Sequence, residues 1–202
     1  MIAVYAIILI IGVASLPSQD VPVADPWFSA LEIIIIMLMP ALMALMVAIH
    51  AWAPAERRAF SLLAVLFITM LALLTCANHF VILALARQPD FLSLEATPLL
   101  ISFNWPSIVY ALDILAWDVF FALAALSAAL VFGDGRVGNW VRGLLVLSGG
   151  MALAGLSGLI FDDMQWRYIG IAGYVAVFPI AVVLIGVLFY RTAPAPSLNV
   201  KE

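Results

Sequence analysis

A series of long apolar runs, separated by short polar segments, constrains this chain more than any other feature. A helix that crosses a bilayer needs about 20 mostly apolar residues. Hydrophobic residues make up 67% of the chain and charged residues 10%, whereas soluble domains carry about 25% charged residues. The sequence therefore predicts an all-α, polytopic transmembrane helix bundle within a single domain, residues 1–191. The six predicted spans are residues 2–16, 28–52, 59–86, 106–132, 141–161 and 169–190.

The first run, residues 2–16, is shorter than the others and no basic residue precedes it. A secretory signal has a basic n-region and a small-residue cleavage site, and Val13-Ala14-Ser15 resembles such a site. Two interpretations stay open: a retained first helix, which the missing n-region favours, and a cleaved signal that would leave five spans. At the other end, residues 192–202 are predicted to form a disordered cytoplasmic tail.

Basic residues predict the orientation, because cytoplasmic loops carry an excess of Lys and Arg. With the N-terminus inside, the outer side holds two of them, Arg87 and Arg167. The inner side holds Arg57, Arg58, Arg136, Arg142, Arg191 and Lys201. This bias predicts cytoplasmic N- and C-termini and a multi-pass protein of the bacterial cytoplasmic (inner) membrane.

Several classes of function are excluded by residues that are missing or misplaced. The one lysine, Lys201, lies in the tail, so no helix lysine can form a retinal Schiff base. His50 and His79 fall at opposite ends of the bilayer and cannot ligate one haem between them. A single cysteine, Cys76, rules out an intramolecular disulfide and a thiolate metal cluster. The net charge of −4, without a basic patch, argues against a nucleic-acid partner.

Polar residues inside the spans gather in their predicted outer halves. At about 1.5 Å per residue, Asn78, His79 and Asp113 lie roughly 10–12 Å below the predicted outer surface, and Asp118 lies near the midplane. An ionisable residue in a span is costly and marks a functional site by default. The clustering predicts a polar pocket that opens to the extracytoplasmic side. Its remaining predicted wall residues are Glu32, Asp162, Tyr110 and Trp117.

The spacing of the two aspartates predicts separate partners for them. Asp113 and Asp118 are five residues apart, which turns them about 140° around a regular α-helix. We expect Asp113 to pair with His79 or Asn78, and Asp118 to form the pocket floor or to lock helices together. Buried polar pairs also hold membrane bundles together without any further role. A purely structural interpretation of both carboxylates therefore stays open.

Three functions fit this pattern. The first is binding or translocation of a small ligand or protons in the outer pocket. The second is an accessory or scaffold subunit of a larger membrane complex, and the third is an intramembrane enzyme acting on a lipid-like substrate by acid–base chemistry. No metal cofactor is expected. A catalytic zinc usually has three protein ligands, and His79 with Asp113 and Glu32 or Asp162 could supply them, but His79 is the one histidine at that level.

Two further segments carry expectations. Gly150, Ala154 and Gly158 repeat every four residues, a small-xxx-small pattern that lets helix backbones approach closely in lipid. It predicts a packing seam inside the bundle, with a homo-oligomer or partner contact as the alternative. Residues 87–105 are too apolar for a free loop, and we expect them to lie in the membrane interface or to fold over the bundle as a lid.

The basic loop that leads into the Gly- and Ser-rich segment Gly138–Gly155, together with the Asn78-His79 step, resembles small six-helix bacterial membrane proteins of uncharacterised families. The resemblance covers most of the chain. It implies a six-helix integral membrane architecture and assigns no activity and no residue roles.

Overall fold

The computed structural model describes residues 25–192 and seven earlier positions, which are Val4, Ile7, Ile8, Ile11, Gly12, Ala14 and Ser15. Most of the predicted first span and nearly all of the predicted tail lie outside the described residues. Within the described part of the chain, the regular structure is entirely helical, with no strand. The all-α prediction is therefore confirmed.

Five helices of the described chain are long and apolar enough to cross a membrane. Two short helices lie between the second and third of them, in the segment that the sequence predicts to be a lid. In chain order the helices are α1 (Trp27–Trp52), α2 (Ala55–Leu85), the short α3 (Pro89–Leu92) and α4 (Thr97–Ile101), α5 (Ile108–Ala129), α6 (Gly135–Ile160) and α7 (Met164–Thr192). The prediction of several helices long and apolar enough to cross a membrane is thus confirmed, whereas six spans are not.

The ends of the helices differ from prediction where polar residues continue a helix. α6 begins at Gly135 rather than residue 141, and α7 begins at Met164 rather than residue 169. The first turns of α6 contain Arg136 and Asn139, which an apolar count leaves outside the span. Such residues are tolerated at the end of a membrane helix because their side chains reach the headgroup region. Apolar runs therefore underestimate helix length at these ends.

The long helices pack mainly with their neighbours in the chain. α2 lies between α1 and α5, and α6 lies between α5 and α7. At the end of the bundle opposite α3 and α4, Trp52 stacks on Phe132, with ring centroids 5.5 Å apart, and donates a hydrogen bond of 2.9 Å to Thr192 Oγ1. This contact joins the last turns of α1 and α7. We call the end that carries α3 and α4 the loop end.

Small residues let α5 and α6 approach closely, but along a different stripe from the predicted one. A Cβ added to Gly149 would lie 2.8 Å from Leu126 Cγ, so a larger residue at this position would force α5 to shift. Gly150 and Ala154 are exposed, whereas Gly158 is buried. The predicted internal seam was wrong for Gly150 and Ala154, because α6 has small residues on several faces and the pattern fits more than one register. The buried stripe is Leu145, Ser148, Gly149, Ala152 and Gly155.

Two of the long helices contain a π-helical segment. Residues Leu115–Phe120 of α5 and Gly173–Val177 of α7 are wound in this way. In a π-helical turn the backbone N–H donates to the carbonyl five residues earlier rather than four, as Phe121 N–H does to Ala116. Such single-turn segments are rare and occur frequently at functional sites. The two segments contact each other through Trp117 and Tyr174, whose ring centroids are 5.0 Å apart.

Candidate functional site

The guanidinium of Arg167, in the first turns of α7, bridges the two aspartates of α5. Its Nη2 donates to Asp113 Oδ2 at 2.6 Å, and its Nε donates to Asp118 Oδ2 at 3.2 Å. The side chains of Arg167 and Asp118 are 5% and 0% exposed, and that of Asp113 is 13% exposed. We call these three residues the ion-pair cluster. It joins α5 to α7 by charge-assisted hydrogen bonds, which are stronger than neutral ones.

The prediction that Asp113 and Asp118 have separate partners was therefore wrong. It assumed a regular α-helix, in which residues five apart point in different directions. The π-helical segment underwinds α5 in this region, so residues five apart return to the same side of the helix. Both carboxylates thereby reach one guanidinium on α7.

Sequence reasoning missed Arg167 because it treated the residue as a charge in an outer loop. The structure places it inside α7, with a side chain that is almost fully buried. A signal was available, since two carboxylates in a span call for a buried positive partner. Arg167 and Arg87 are the two basic residues predicted on that side, and Arg87 instead pairs with Asp25 at 2.6 Å.

The surroundings of the cluster are tightly packed. Cζ of Arg167 lies 4.5 Å from the ring centroid of Tyr110, close enough for a cation–π contact. Oδ1 of Asp118 is buried and has no hydrogen-bond partner among the described residues. It lies against two glycines: a Cβ added to Gly170 would be 2.7 Å from it, and one added to Gly155 would be 3.3 Å away. The close approach of α6 and α7 at this carboxylate thus depends on glycine.

A second buried polar pair joins α1 to α2. His79 Nδ1 lies 2.8 Å from Glu32 Oε2, and both side chains are less than 8% exposed. The His79 ring also packs on Phe103, with centroids 5.4 Å apart. Asn78 donates from Nδ2 to the backbone carbonyl of Val109 at 3.1 Å, which ties α2 to α5. The expected pairing of Asp113 with His79 or Asn78 is not found, because Asp113 instead accepts from the charged guanidinium of Arg167.

The remaining predicted wall residues lie around this region in different ways. Trp117 is buried below the cluster, between Tyr174 and Phe121. Asp162 is exposed at the loop end and adopts a left-handed conformation with φ of 52°, in the turn that joins α6 to α7. Among the described residues, Asp162 is not one of the hydrogen-bond or ion-pair partners of the cluster. Its neighbour Asp163 accepts a hydrogen bond from the backbone N–H of Gln165 at 3.0 Å, which caps the first turn of α7.

An open pocket of about 510 Å³ lies at the loop end and reaches Arg167. One wall comes from the segment between α4 and α5, which is part of the predicted lid, and the other from the start of α7. Tyr110 and Arg167 lie at its base, next to Asp113. The residues that line it are Phe103, Asn104, Trp105, Tyr110, Met164, Gln165, Arg167, Tyr168 and Ile171.

Fold and site together define the class of this protein: a multi-pass helical membrane protein with a buried arginine–carboxylate cluster below a pocket. No family model, no curated protein and no solved structure matches the chain. Among the residues that the structure describes, no group of three His, Cys, Asp or Glu side chains is arranged to hold a metal ion. The His79–Glu32 pair does not have Asp113 or Asp162 as a third member.

Proposed function

We propose that this membrane protein binds a small ligand in the pocket above Arg167, for translocation or for sensing. One observation carries the proposal: a guanidinium only 5% exposed, held by two carboxylates, forms part of the surface of an open pocket of about 510 Å³. Ligand pockets typically have volumes of about 300–1,000 Å³ and combine apolar walls with a few placed polar groups. Aromatic walls with Arg167, Asn104 and Gln165 fit that description.

The ion-pair cluster also argues against a purely structural role. Replacing a buried ion-pair network by packed apolar side chains is often neutral or stabilising, because two or more charges no longer lose their hydration. A bundle that needed only cohesion would gain little from three buried charges. Charges in a span that face a cavity instead mark pathways and binding sites for substrates and ions.

The proposal includes a topology of six spans, in which residues 2–16 form the first, both termini are cytoplasmic and the pocket opens outward in a bacterial inner membrane. The charges support it. Arg57, Arg58, Arg136, Arg142 and Arg191 all lie at the end opposite the pocket. The two basic residues at the loop end are both neutralised by aspartates. The Ser29 hydroxyl and Arg87 hold the pKa of Asp25 below its ordinary value, so this outer pair persists at neutral pH.

Ligand-induced stabilisation of the purified protein in lipid nanodiscs tests the function. A panel of small organic cations, anions and neutral compounds is screened by thermal unfolding. Ile171→Trp places a large side chain in the pocket wall. The matched control is Ile180→Trp on the same helix, where the native side chain is 54% exposed on the apolar surface.

We expect at least one compound class to stabilise the native protein and the control but not Ile171→Trp. A ligand present at 100 times its Kd adds about 2.7 kcal/mol to the stability of the bound state, which a melting curve resolves readily. The proposal is wrong if no compound stabilises the native protein, or if the stabilisation survives in Ile171→Trp.

A role as an accessory or scaffold subunit is the second candidate, and one observation favours it. Gly150 and Ala154 are exposed on α6, and no atom of the described residues lies within 4 Å of a Cβ added to Gly150. Small residues on an outer helix surface allow another membrane helix, from a partner or a second copy, to pack closely. Recovery of a stoichiometric partner in mild detergent, lost in Gly150→Leu, would support this candidate.

A further inference from the structure

We propose that the ligand of this pocket is a small organic cation, an inference that rests on the ligand-binding function proposed above. The first argument is the charge of the ion-pair cluster. Arg167 supplies one positive charge, and Asp113 and Asp118 supply two negative charges, so the ionised cluster carries a net charge of −1. The guanidinium lines the pocket, but its charge is already balanced by the carboxylates behind it. An anion that approached the guanidinium would also be repelled by the two carboxylates, and this repulsion is strong because the carboxylates are buried.

Two aspartates that directly precede the pocket-lining start of α7 add negative charge to the loop end. Asp162 and Asp163 are exposed directly before Met164 and Gln165, which line the pocket. The other basic residue near this end, Arg87, forms its own ion pair with Asp25. An excess of one sign of charge on the surface around a cleft raises the local concentration of ligands of the opposite sign. The loop end therefore attracts cations toward the pocket.

The walls of the pocket suit an organic cation. Four of its lining residues are aromatic: Phe103, Trp105, Tyr110 and Tyr168. Ammonium groups bind over aromatic faces within about 6 Å of the ring centroid, and cages of this kind recognise alkylated ammonium ligands. The protein already uses this geometry once, because Arg167 Cζ lies 4.5 Å from the centroid of Tyr110.

Asp113 provides the anionic partner. Its Oδ2 accepts from Arg167 Nη2 at 2.6 Å, and among residues 25–192 this is the one hydrogen bond found to its carboxylate. With 13% of its side chain exposed, it is the most accessible member of the cluster. A ligand ammonium beside Tyr110 would be attracted to this carboxylate and would bring the net charge of the site to zero.

Isothermal titration calorimetry of the full chain in nanodiscs, with four small probes of different charge, tests the charge preference of the pocket. Two probes are cations, choline and its primary-amine analogue ethanolamine. The neutral probe is 3,3-dimethylbutanol, in which carbon replaces the nitrogen of choline, and the anionic probe is 3,3-dimethylbutanoate. We expect one or both cations to bind and the other two probes to bind at least about tenfold more weakly, a difference of about 1.4 kcal/mol.

Two variants identify the site. Asp113→Asn, which makes the cluster neutral, should weaken binding of the cation about tenfold or more. Its matched control is Asp134→Asn at the opposite end of the bundle, where the native carboxylate is 81% exposed, and it should leave binding unchanged. Tyr168→Leu removes an exposed pocket wall that takes part in no ion pair, so it tests the site even if Asp113→Asn is poorly folded. It should weaken binding of the cation about 3- to 10-fold.

The outcomes separate the ligand class from the broader function. If the carboxylate or the neutral alcohol binds as well as the cations and Ile171→Trp abolishes that binding, the pocket binds ligands but the cation assignment is wrong. If the cations bind equally well to the native protein, to Asp113→Asn and to Tyr168→Leu, the assignment is also wrong. If neither these probes nor the wider panel binds, both proposals fail.

Discussion

Removal of Arg167 should destabilise the bundle far more than removal of either carboxylate with which it pairs. Arg167→Met keeps a long flexible side chain but takes away the one positive charge of the ion-pair cluster. Asp113 and Asp118 then remain on the same side of α5, close to each other and without a counter-charge. Asp113→Asn leaves no charge unpaired. Arg167 and Asp118 still form a neutral ion pair, and the amide oxygen of the new asparagine can still accept from Arg167 Nη2.

The charges set the expected magnitudes. Removing one partner of a buried ion pair costs about 3–5 kcal/mol, because the other charge stays buried and unpaired. Arg167 pairs with two carboxylates, one of them fully buried, so we expect a loss of at least about 4–5 kcal/mol. Proton uptake by the two aspartates limits this loss of stability. Protonating an ordinary aspartate at pH 7 costs about 4 kcal/mol, so the loss for the two cannot exceed about 8 kcal/mol. Asp113→Asn should cost only about 0.5–1.5 kcal/mol, the value of one ordinary hydrogen bond.

The triple variant Arg167→Met, Asp113→Asn, Asp118→Asn tests the cause. If uncompensated charge is responsible, neutralising both carboxylates should recover most of the loss and return the protein to within about 2 kcal/mol of the native free energy of unfolding. The measurement is reversible unfolding in mixed micelles, with the free energy obtained for each variant. The reasoning is refuted if Asp113→Asn costs as much as Arg167→Met, or if the triple variant is as unstable as Arg167→Met alone.

Two further substitutions test the packing and the second polar pair. Gly170→Ala should cost about 1–3 kcal/mol of stability, because its Cβ would lie 2.7 Å from the buried Oδ1 of Asp118. The control is Gly186→Ala, whose Cβ has open space around it among the described residues. It should be neutral or slightly stabilising in the same unfolding assay. Glu32→Met should cost about 1–3 kcal/mol, because it leaves buried His79 without its 2.8 Å partner. Glu56→Met at an exposed position should change the free energy by less than about 0.5 kcal/mol, and equal losses in both glutamate variants would contradict the assigned pairing.

The positions of the helices could be predicted from the sequence because each span must satisfy its own backbone hydrogen bonds inside the bilayer. A long apolar run is then nearly sufficient to indicate a helix, as for α1, α2 and α5. The starts of α6 and α7 were less predictable, because polar residues such as Arg136 and Gln165 can extend a membrane helix into the interface. Apolarity therefore locates the middle of a span better than its ends.

The candidate site was predictable only in part. Depth along a helix follows from residue count, so Glu32 and His79 could both be assigned to the same half of the bundle, and the structure pairs them. Direction around a helix depends on regular winding, and that assumption failed for Asp113 and Asp118. Neither apolar periodicity nor residue type indicates where a π-helical turn will occur. Arg167 was missed for a related reason, since its position near a helix end made it resemble a surface charge.

The π-helical segment of α5 has a consequence for how such a site can change during evolution. A π-helical turn is equivalent to one extra residue in an α-helix, accommodated without breaking the helix. Loss of a single codon between Leu115 and Phe120 would restore regular winding, and it would rotate Asp113 and everything before it relative to the rest of α5. The arrangement around Arg167 can thus be dismantled or created by a one-residue deletion or insertion, with no change in the identity of any charged residue. Length variation in α5 would accordingly report on the presence of this site more directly than substitution would.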